Sequence, residues 1–400
     1  MSGLIALDEA RRLLLDGQAA LEIEIVPLAE AAGRVLAEEL VAVRSQPPAP
    51  LSAMDGYAVQ NADVAAGARL HLIGEAPAGA PFAGAVGAGE CVRIATGGVV
   101  PHGADRVIVQ EHVERDGDAI VVCDASGPMF VRPAGCDFAE GDVLLPRGTF
   151  LGAARLGLVA ASGRARVSIF RRPRVAILAS GDELIEPGDQ AGPGAMFNSA
   201  AYALAVLVER WGGLAVRQAI LPDDLDVCIE RIGALSEVDL IVPLGGASVG
   251  DRDVMRAAFE ALSASLRFER IAVVPGKPSW HARFGDGRIV LGLPGNPSSA
   301  FVCAHLLLKP LLFALTGRDP AVAVRLSAAR LTDNVGANGA REAYLRGTTS
   351  IDGEGQMTAK IDPRQDSGLQ TPLAAANALI RRPPGAPAAR AGDRIDFLPI

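Results

Sequence analysis

The feature that most constrains the fold of this chain is an alternating pattern across residues 170–317, where short apolar runs are followed by longer segments of helical periodicity. This alternation is typical of a doubly wound α/β domain, in which helices connect parallel strands. Each predicted strand ends in a polar segment rich in Gly, Ser or Asn. The predicted strands are 174–179, 239–244 and 288–293, and the segments after them are 180–183, 245–253 and 294–299.

Open α/β sheets bind ligands at the carboxyl ends of their strands, so the same pattern predicts where a binding site lies. Predicted helices follow each polar segment: one from an Asn198 cap to Gly212, one from Val254, and one that runs toward Gly317. A further strand is expected at 270–274, just before Lys277.

We expect three other domains around this one, because 400 residues exceed the usual size of a single domain. The Pro-rich segment 46–50 marks one boundary. Residues 107–123 are expected to form a β-hairpin. The predicted domains are an elongated N-terminal or linker domain (1–45 plus 139–169), a small β-rich domain (46–138), the α/β domain (170–318) and a barrel-like C-terminal β domain (319–400).

Charge and composition exclude several classes of function. The chain has 38 Lys and Arg against 46 Asp and Glu, a net charge of −8, which argues against binding to nucleic acid or to anionic membranes. The longest apolar stretch, 300–315, is interrupted by His305, Lys309 and Pro310 and predicts no membrane span. The charged residues at 8–12 predict no export signal, so the expected location is the cytoplasm.

Cysteine and histidine usage argues against a zinc site. The five cysteines form no C-x-x-C pair and are expected to be reduced thiols, and the five histidines form no H-E-x-x-H motif. A metal in this protein should therefore be a hard cation held by carboxylates.

The glycine-rich segment after the second strand is a candidate anion site. Gly245, Gly246, Ser248 and Gly250 precede a helix, where backbone N–H groups can approach a phosphate or another oxyanion. A tight turn is the alternative interpretation. A second segment of this kind, 294–297, faces the same predicted sheet edge and favours the ligand site.

Two carboxylates and one ammonium group are expected at this edge. Glu183 and Asp253 follow different strands and could share one Mg²⁺ with diphosphate oxygens, although each could instead lie at the start of a helix. Lys277 lies between helix-breaking residues that would hold its charge in place for a dianion, although a lone lysine is ordinarily only solvated. Around Asp55 and Thr96 the sequence by itself indicates turns.

Taken together, these segments resemble the molybdenum insertase family, also called molybdopterin molybdenumtransferases, over nearly the whole chain. The resemblance implies an enzyme that combines adenylylated molybdopterin with molybdate, releases AMP in the presence of Mg²⁺ and yields molybdenum cofactor. It also implies an obligate homodimer, in which Asp55 and Thr96 face the α/β domain of the partner subunit. The matching motifs are residues 52–59, 96–111, 180–184, 245–253, 275–278 and 292–297.

The resemblance assigns roles to individual residues. Catalytic roles are implied for Asp55, Thr96, Asp137, Glu183, Asp253 and Lys277, with Glu183 and Asp253 as the metal ligands. Substrate-binding roles are implied for Ser180, Gly181, Asp223, Gly245, Gly246, Ser248, Gly250, Pro294, Gly295, Asn296, Pro297, Arg341 and Ser367.

Three positions depart from the family pattern. Family members commonly carry Thr where Ser180 stands, an acidic residue where Cys136 stands and a basic residue where Val274 stands. The hydroxyl is kept by Ser180. The missing cation at position 274 is expected to weaken oxyanion binding or to shift its role to a nearby arginine.

Two other functions remain open from the sequence. One is a non-catalytic carrier or scaffold for molybdenum cofactor, although a scaffold has no need for convergent carboxylates and an isolated lysine. The other is adenylylation of molybdopterin itself, which related single α/β domains perform. Possible further partners are the adenylylating enzyme and the molybdoenzymes that accept the cofactor.

Overall fold

The computed structural model describes residues 3–245 and 254–400. The chain divides into two compact units. The first contains residues 25–32 and 38–168, and the second contains residues up to 24, 33–37 and 169–400. This division is coarser than the four predicted domains, whose boundaries stay a prediction.

The helices begin and end close to the predicted positions. The first helix, Leu7–Leu15, precedes the α/β domain in the chain. Asn198 precedes a helix as predicted, but its side chain does not cap the helix by a hydrogen bond. The described helices are Leu7–Leu15, Ala153–Ala161, Ser199–Arg210, Leu225–Gly233, Val254–Ala261, Pro297–Cys303, Lys309–Leu315, Pro320–Ala323 and Thr371–Ala375, with a π-helical turn at Ala304–Leu308 and 3₁₀ turns at Leu28–Glu30, Asn61–Asp63 and Gln110–His112.

The central α/β sheet is mixed, whereas the sequence predicted a parallel one. Four strands are parallel, in the order Leu214–Arg217, Arg174–Ala179, Leu240–Leu244, Ile289–Gly292. Two antiparallel strands, Trp280–Arg283 and Ser265–Phe268, extend the sheet beyond Ile289–Gly292. They pair directly because the chain returns through a loop instead of a crossover helix.

Helices cover both faces of this sheet, as the doubly wound prediction requires. Alternate residues of one strand, such as Val175 and Ala176, pack into separate cores on the two faces. The stretch Pro297–Leu315 is long and apolar enough to cross a membrane by length and composition, with mean hydropathy 1.7, but 83% of this window is buried. It is the expected pattern for a helix at the centre of a folded domain.

The first unit contains a six-stranded sheet with two buried faces. The predicted hairpin is shorter than expected: Val113–Asp116 pairs with Ala119–Val122, but Arg106–Val109 pairs with Gly56–Val59 at the opposite edge. A 3₁₀ turn at Gln110–His112 separates the two strands, so the apolar run is not continuous. In sheet order the strands are Arg106–Val109, Gly56–Val59, Glu90–Ile94, Arg69–Ala76, Ala119–Val122 and Val113–Asp116.

The C-terminal strands close into a five-stranded barrel, which confirms the barrel-like prediction. Closure follows because Glu342–Ile351 pairs with strands on both of its sides. In barrel order the strands are Glu342–Ile351, Met357–Ile361, Ser327–Leu331, Arg394–Pro399 and Ala378–Arg382.

The predicted strand 270–274 is wrong in extent. Only Val273–Val274 is a strand, and it adds to the barrel strand Glu342–Ile351 rather than to the α/β sheet. The remaining short strands are Ile23–Pro27, Leu40–Val41, Leu51–Ser52, Val131–Arg132, Val143–Leu145, Arg166–Phe170, Leu184–Ile185 and Met196–Phe197.

Candidate functional site

A cleft of about 1110 Å³ lies where the parallel strands of the α/β sheet end. This is the sheet edge that the sequence pattern predicted. The predicted residues that line it are Ser180, Gly181, Glu183, Asp223, Gly245, Lys277, Pro294, Gly295, Asn296 and Pro297. Gly246, Ser248, Gly250 and Asp253 lie outside the described residues.

The three strand-end segments meet closely because two glycines face each other. Gly245 has φ of +90°, which favours glycine, and a Cβ on it would lie 3.2 Å from the carbonyl oxygen of Ser180. A Cβ on Gly295 would lie 3.2 Å from the Cα of Gly245. The backbone can therefore form the floor of the cleft without side chains in the way.

Ser180 presents a polar group with no partner to this cleft. The residue is 6% exposed, and its hydroxyl has no hydrogen-bond partner among the residues that the structure describes. A buried hydroxyl without a partner is unfavourable by about 1–3 kcal/mol, so such a group at a cleft wall indicates a ligand contact.

The carboxylate of Glu183 lies close to the backbone of its own loop, at Gly181. Gly181 has φ of +146°, and a Cβ on it would lie 2.6 Å from Oε2 of Glu183. A side chain at position 181 would therefore displace this carboxylate. Asp223 lines the same cleft, and its backbone N–H donates to Oδ1 of Asp182 at 3.1 Å. The cleft thus holds carboxylates from two different loops.

Lys277 is carried by a tight loop that packs on a buried cysteine. Gly276 has φ of +124°, and a Cβ on it would lie 2.1 Å from Sγ of Cys303. The backbone N–H and the hydroxyl of Ser279 both donate to the carbonyl oxygen of Gly276, at 3.1 and 3.0 Å. Burial raises the pKa of Cys303 to about 12, so this thiol stays protonated and acts as a packing surface.

Sequence reasoning missed Arg270, which lines the cleft together with Lys277. The two residues are brought together because the N–H of Ile271 donates to the carbonyl oxygen of Lys277 at 3.0 Å, which closes the loop between them. Arg270 stands four positions before Val274, where the resemblance implies a basic residue. Arg270 could have been recognised from the sequence as a charged residue directly before the 271–277 loop.

A loop from the barrel completes one wall. Gly368 and Gln370 line the cleft, and Ser367 accepts a hydrogen bond at Oγ from Nδ2 of Asn296 at 2.9 Å. Two predicted substrate-binding residues are therefore in direct contact although 71 positions separate them. Met196, Phe197, Asn198 and Ser199 also line the cleft and were not predicted as site residues.

Arg341 and Asp137 were also predicted as site residues, but the structure places them elsewhere. Arg341 is not among the described residues that line the cleft, and its Nη1 donates to the carbonyl oxygen of Val273 at 3.3 Å, beside the loop of Lys277. Asp137 is exposed in the other compact unit, where its backbone N–H donates to the carbonyl oxygen of Gln46 at 3.0 Å.

Asp55 and Thr96 form a pair within that other unit. Oδ1 of Asp55 accepts hydrogen bonds from the backbone N–H and the hydroxyl of Thr96, at 2.6 and 2.9 Å. These two hydrogen bonds hold the pKa of Asp55 below its usual value, and the bond from the backbone N–H has the larger effect. Asp55 is thus an ionised carboxylate on the surface, and Thr96 fixes its orientation.

The donor set of the cleft fits Mg²⁺. Mg²⁺ takes one or two carboxylates and completes its octahedron with water and phosphate oxygens, and Glu183 and Asp223 offer such carboxylates. No group of three or more His, Cys, Asp or Glu side chains is placed to hold a metal in the described part of the chain. A site built only from protein ligands, as for structural zinc, is therefore not found there.

Comparison with known proteins identifies the family. Models of the MoeA N-terminal region (domains I and II), of a probable molybdopterin binding domain and of the MoeA C-terminal region (domain IV) match residues 5–163, 176–314 and 328–400. A molybdopterin molybdenumtransferase of Nostoc is 33% identical over 91% of this chain and 86% of its own length. The chain belongs to the molybdopterin molybdenumtransferase family.

Other members agree with this assignment. The molybdopterin molybdenumtransferase of Haemophilus influenzae is 33% identical over 94% of both chains. The solved structure of the molybdopterin biosynthesis MoeA protein from Pyrococcus horikoshii superposes with a TM-score of 0.82 at 29% identity, over 99% of this chain and 98% of that one. The chain is therefore a transferase of molybdenum cofactor biosynthesis, with the multi-domain fold of the family.

Proposed function

We propose that this transferase inserts molybdate into adenylylated molybdopterin, with Mg²⁺-dependent release of AMP, to give molybdenum cofactor. The observation that carries the proposal is the cleft itself, in which carboxylates and cations from separate loops converge at the carboxyl edge of the α/β sheet. Adenylylated molybdopterin carries a diphosphate and molybdate is a tetrahedral dianion, so both substrates need charge-assisted donors and a neutralised phosphate.

The cations of the cleft suit the dianion. Lys277 and Arg270 supply two positive charges from the two ends of one loop, and the hydroxyl of Ser180 supplies a neutral donor. A fixed ammonium and a guanidinium bind an oxyanion more strongly in a partly enclosed cleft than in open water. We assign these groups to orienting molybdate and the diphosphate.

The carboxylates suit the metal. Glu183 is the proposed ligand within the described residues, Asp223 lies in the same cleft, and Asp253 remains the second ligand implied by the resemblance. Mg²⁺ bound there would neutralise the developing charge on the leaving phosphate. Gly181 leaves room for the Glu183 carboxylate at the cleft, because a Cβ at position 181 would lie 2.6 Å from Oε2.

The proposal includes a cytoplasmic homodimer. In it, the ionised Asp55 with Thr96 would face the α/β domain of the partner subunit, as the resemblance implies, and we extend this to the exposed Asp137 of the same unit. The adenylylating enzyme and the acceptor molybdoenzymes remain proposed partners.

The test is AMP release by the purified protein from adenylylated molybdopterin and Mg²⁺, with and without molybdate. We expect molybdate-dependent release, which Glu183→Gln and Lys277→Met should each lower by about 10²-fold or more, since each removes a charge that faces the reacting groups. The control is Asp189→Asn, which changes a carboxylate close to Glu183 in sequence that does not line the cleft among the described residues.

Two results would contradict the proposal. Full activity in both Glu183→Gln and Lys277→Met would show that the reaction does not use this cleft. Tight binding of adenylylated molybdopterin with no AMP release under any condition would identify a carrier or scaffold instead.

A further inference from the structure

A fully buried arginine connects the barrel to the cleft. Arg346 lies on the barrel strand Glu342–Ile351 and is 1% exposed. Strand alternation places it on the same face as Tyr344, which packs into the core shared with the α/β sheet. Burial lowers the pKa of Arg346, and the charges of Asp362 and Asp366 oppose this effect without an ion pair to Arg346 among the described residues. A buried charge of this kind needs hydrogen bonds in place of a counter-ion.

The guanidinium binds almost entirely to one loop. Nη2 donates to the carbonyl oxygens of Arg364 and Asp366, at 3.1 and 2.9 Å, and Nη1 donates to the carbonyl oxygen of Leu369 at 2.9 Å. The backbone of Arg346 adds a reciprocal pair with the side-chain amide of Gln365, at 3.0 and 2.9 Å. The 364–369 loop is therefore shaped around this single residue.

The same guanidinium also fixes the loop to the α/β domain. Nη1 donates to the hydroxyl of Ser298 at 2.8 Å, and that hydroxyl donates to the carbonyl oxygen of Leu369 at 2.7 Å. The backbone N–H of Ser298 donates to the carbonyl oxygen of Ser367 at 3.2 Å. Ser367 then accepts the bond from Asn296, which lines the cleft.

We propose that Arg346 is a positioning residue of the transferase, which fixes the 364–369 loop so that Ser367 is held at the substrate oxyanion. This inference rests on the proposed function. Arg346 does not touch substrate; it acts through Ser367. Arginine is required because its planar fork reaches four acceptors at once, whereas the single nitrogen of lysine cannot span them.

The experiment compares Arg346→Lys, Ser367→Ala and the double variant by AMP release at varied molybdate concentration. We expect Arg346→Lys to raise the KM for molybdate about tenfold while kcat changes by less than about threefold, because the loop is displaced and the reacting groups are kept. In the Ser367→Ala background, Arg346→Lys should no longer raise this KM, since its effect passes through Ser367.

The matched control is Arg382→Lys. Arg382 is another buried barrel arginine, 5% exposed, whose Nη2 donates to the carbonyl oxygens of Gly336 and Pro387, and it lines a separate cleft. We expect it to lower Tm without changing the KM for molybdate.

Three results would overturn the inference in an active enzyme: an unchanged KM in Arg346→Lys, effects of Arg346→Lys and Ser367→Ala that multiply, or an equal rise of KM in Arg382→Lys. If the unsubstituted protein shows no molybdate-dependent AMP release, the proposed function fails instead, and the two failures are distinguished by that first measurement.

Discussion

Buried polar groups in this protein fall into two kinds at the residue scale. The hydroxyl of Ser162 is buried and donates to the carbonyl oxygen of Val159 at 2.7 Å, so it belongs to the folded structure. The hydroxyl of Ser180 is buried at the cleft with no partner among the residues described. The first kind stabilises the fold, and the second is left for a ligand.

This difference predicts opposite effects of two identical substitutions. Ser162→Ala should lower the free energy of unfolding by about 1 kcal/mol, whereas Ser180→Ala should leave it unchanged or raise it by up to about 1 kcal/mol. Ser180→Ala should also raise the KM for a substrate, because a donor is lost from the cleft. Urea denaturation and AMP release measure the two effects. Equal destabilisation by both variants would show that Ser180 is satisfied within the fold.

At the element scale, the loops at the strand ends are positioned by contacts that only glycine allows. Gly276 combines a left-handed φ of +124° with a Cβ direction that points at Sγ of Cys303, 2.1 Å away. Gly287 also has a left-handed φ, of +94°, but a Cβ there meets nothing within 4 Å. Gly287 is therefore required for its backbone conformation alone, whereas Gly276 is required for both its conformation and its lack of a side chain.

We expect Gly276→Ala to lower the free energy of unfolding by about 2–4 kcal/mol, because the added methyl group collides with a packed core atom. Gly287→Ala should cost about 1–2 kcal/mol, the conformational part alone. Cys303→Ala in the Gly276→Ala background should recover part of the loss by removing the collision. Urea denaturation of the three variants checks this. If Gly276→Ala costs no more than Gly287→Ala, the loop of Lys277 does not depend on Cys303.

At the scale of the whole molecule, the proposed catalytic residues are divided between two compact units. Asp55, Thr96 and Asp137 lie in one unit, and Glu183 and Lys277 lie in the other. The proposed homodimer combines them across subunits. A site assembled in this way takes residues from two chains. One chain can therefore supply the residue that is substituted in its partner.

Complementation between inactive variants tests this arrangement. Asp55→Asn and Lys277→Met should each be inactive as homodimers. After mixing and subunit exchange, about half of the dimers are mixed, and each of these has one intact site, so about a quarter of full activity should return. AMP release of the mixture measures the recovery. No recovery after verified subunit exchange would place Asp55 and Lys277 in the site of the same chain, or remove Asp55 from the site.

Several features of this protein were determined by the sequence alone. The strands Arg174–Ala179, Leu240–Leu244 and Ile289–Gly292 could be predicted, because each is a short apolar run that ends in polar or glycine-rich residues. The position of the cleft followed from the rule that parallel strands end at one edge. Both predictions depend on local patterns, because the residues that form each strand and its terminal loop are neighbours in the chain.

Other features were decided by tertiary structure. The strand Val273–Val274 pairs with the barrel, and two strands of the α/β sheet run antiparallel, although their sequences give no sign of partner or direction. The contacts of Ser298 and Asn296 with the 364–369 loop join residues 71 positions apart. Arg346 is one arginine among many in the sequence, and only its burial against four acceptors supports the proposed positioning role. Pairing and burial depend on which distant segments meet, and a single sequence does not encode that choice in any local pattern.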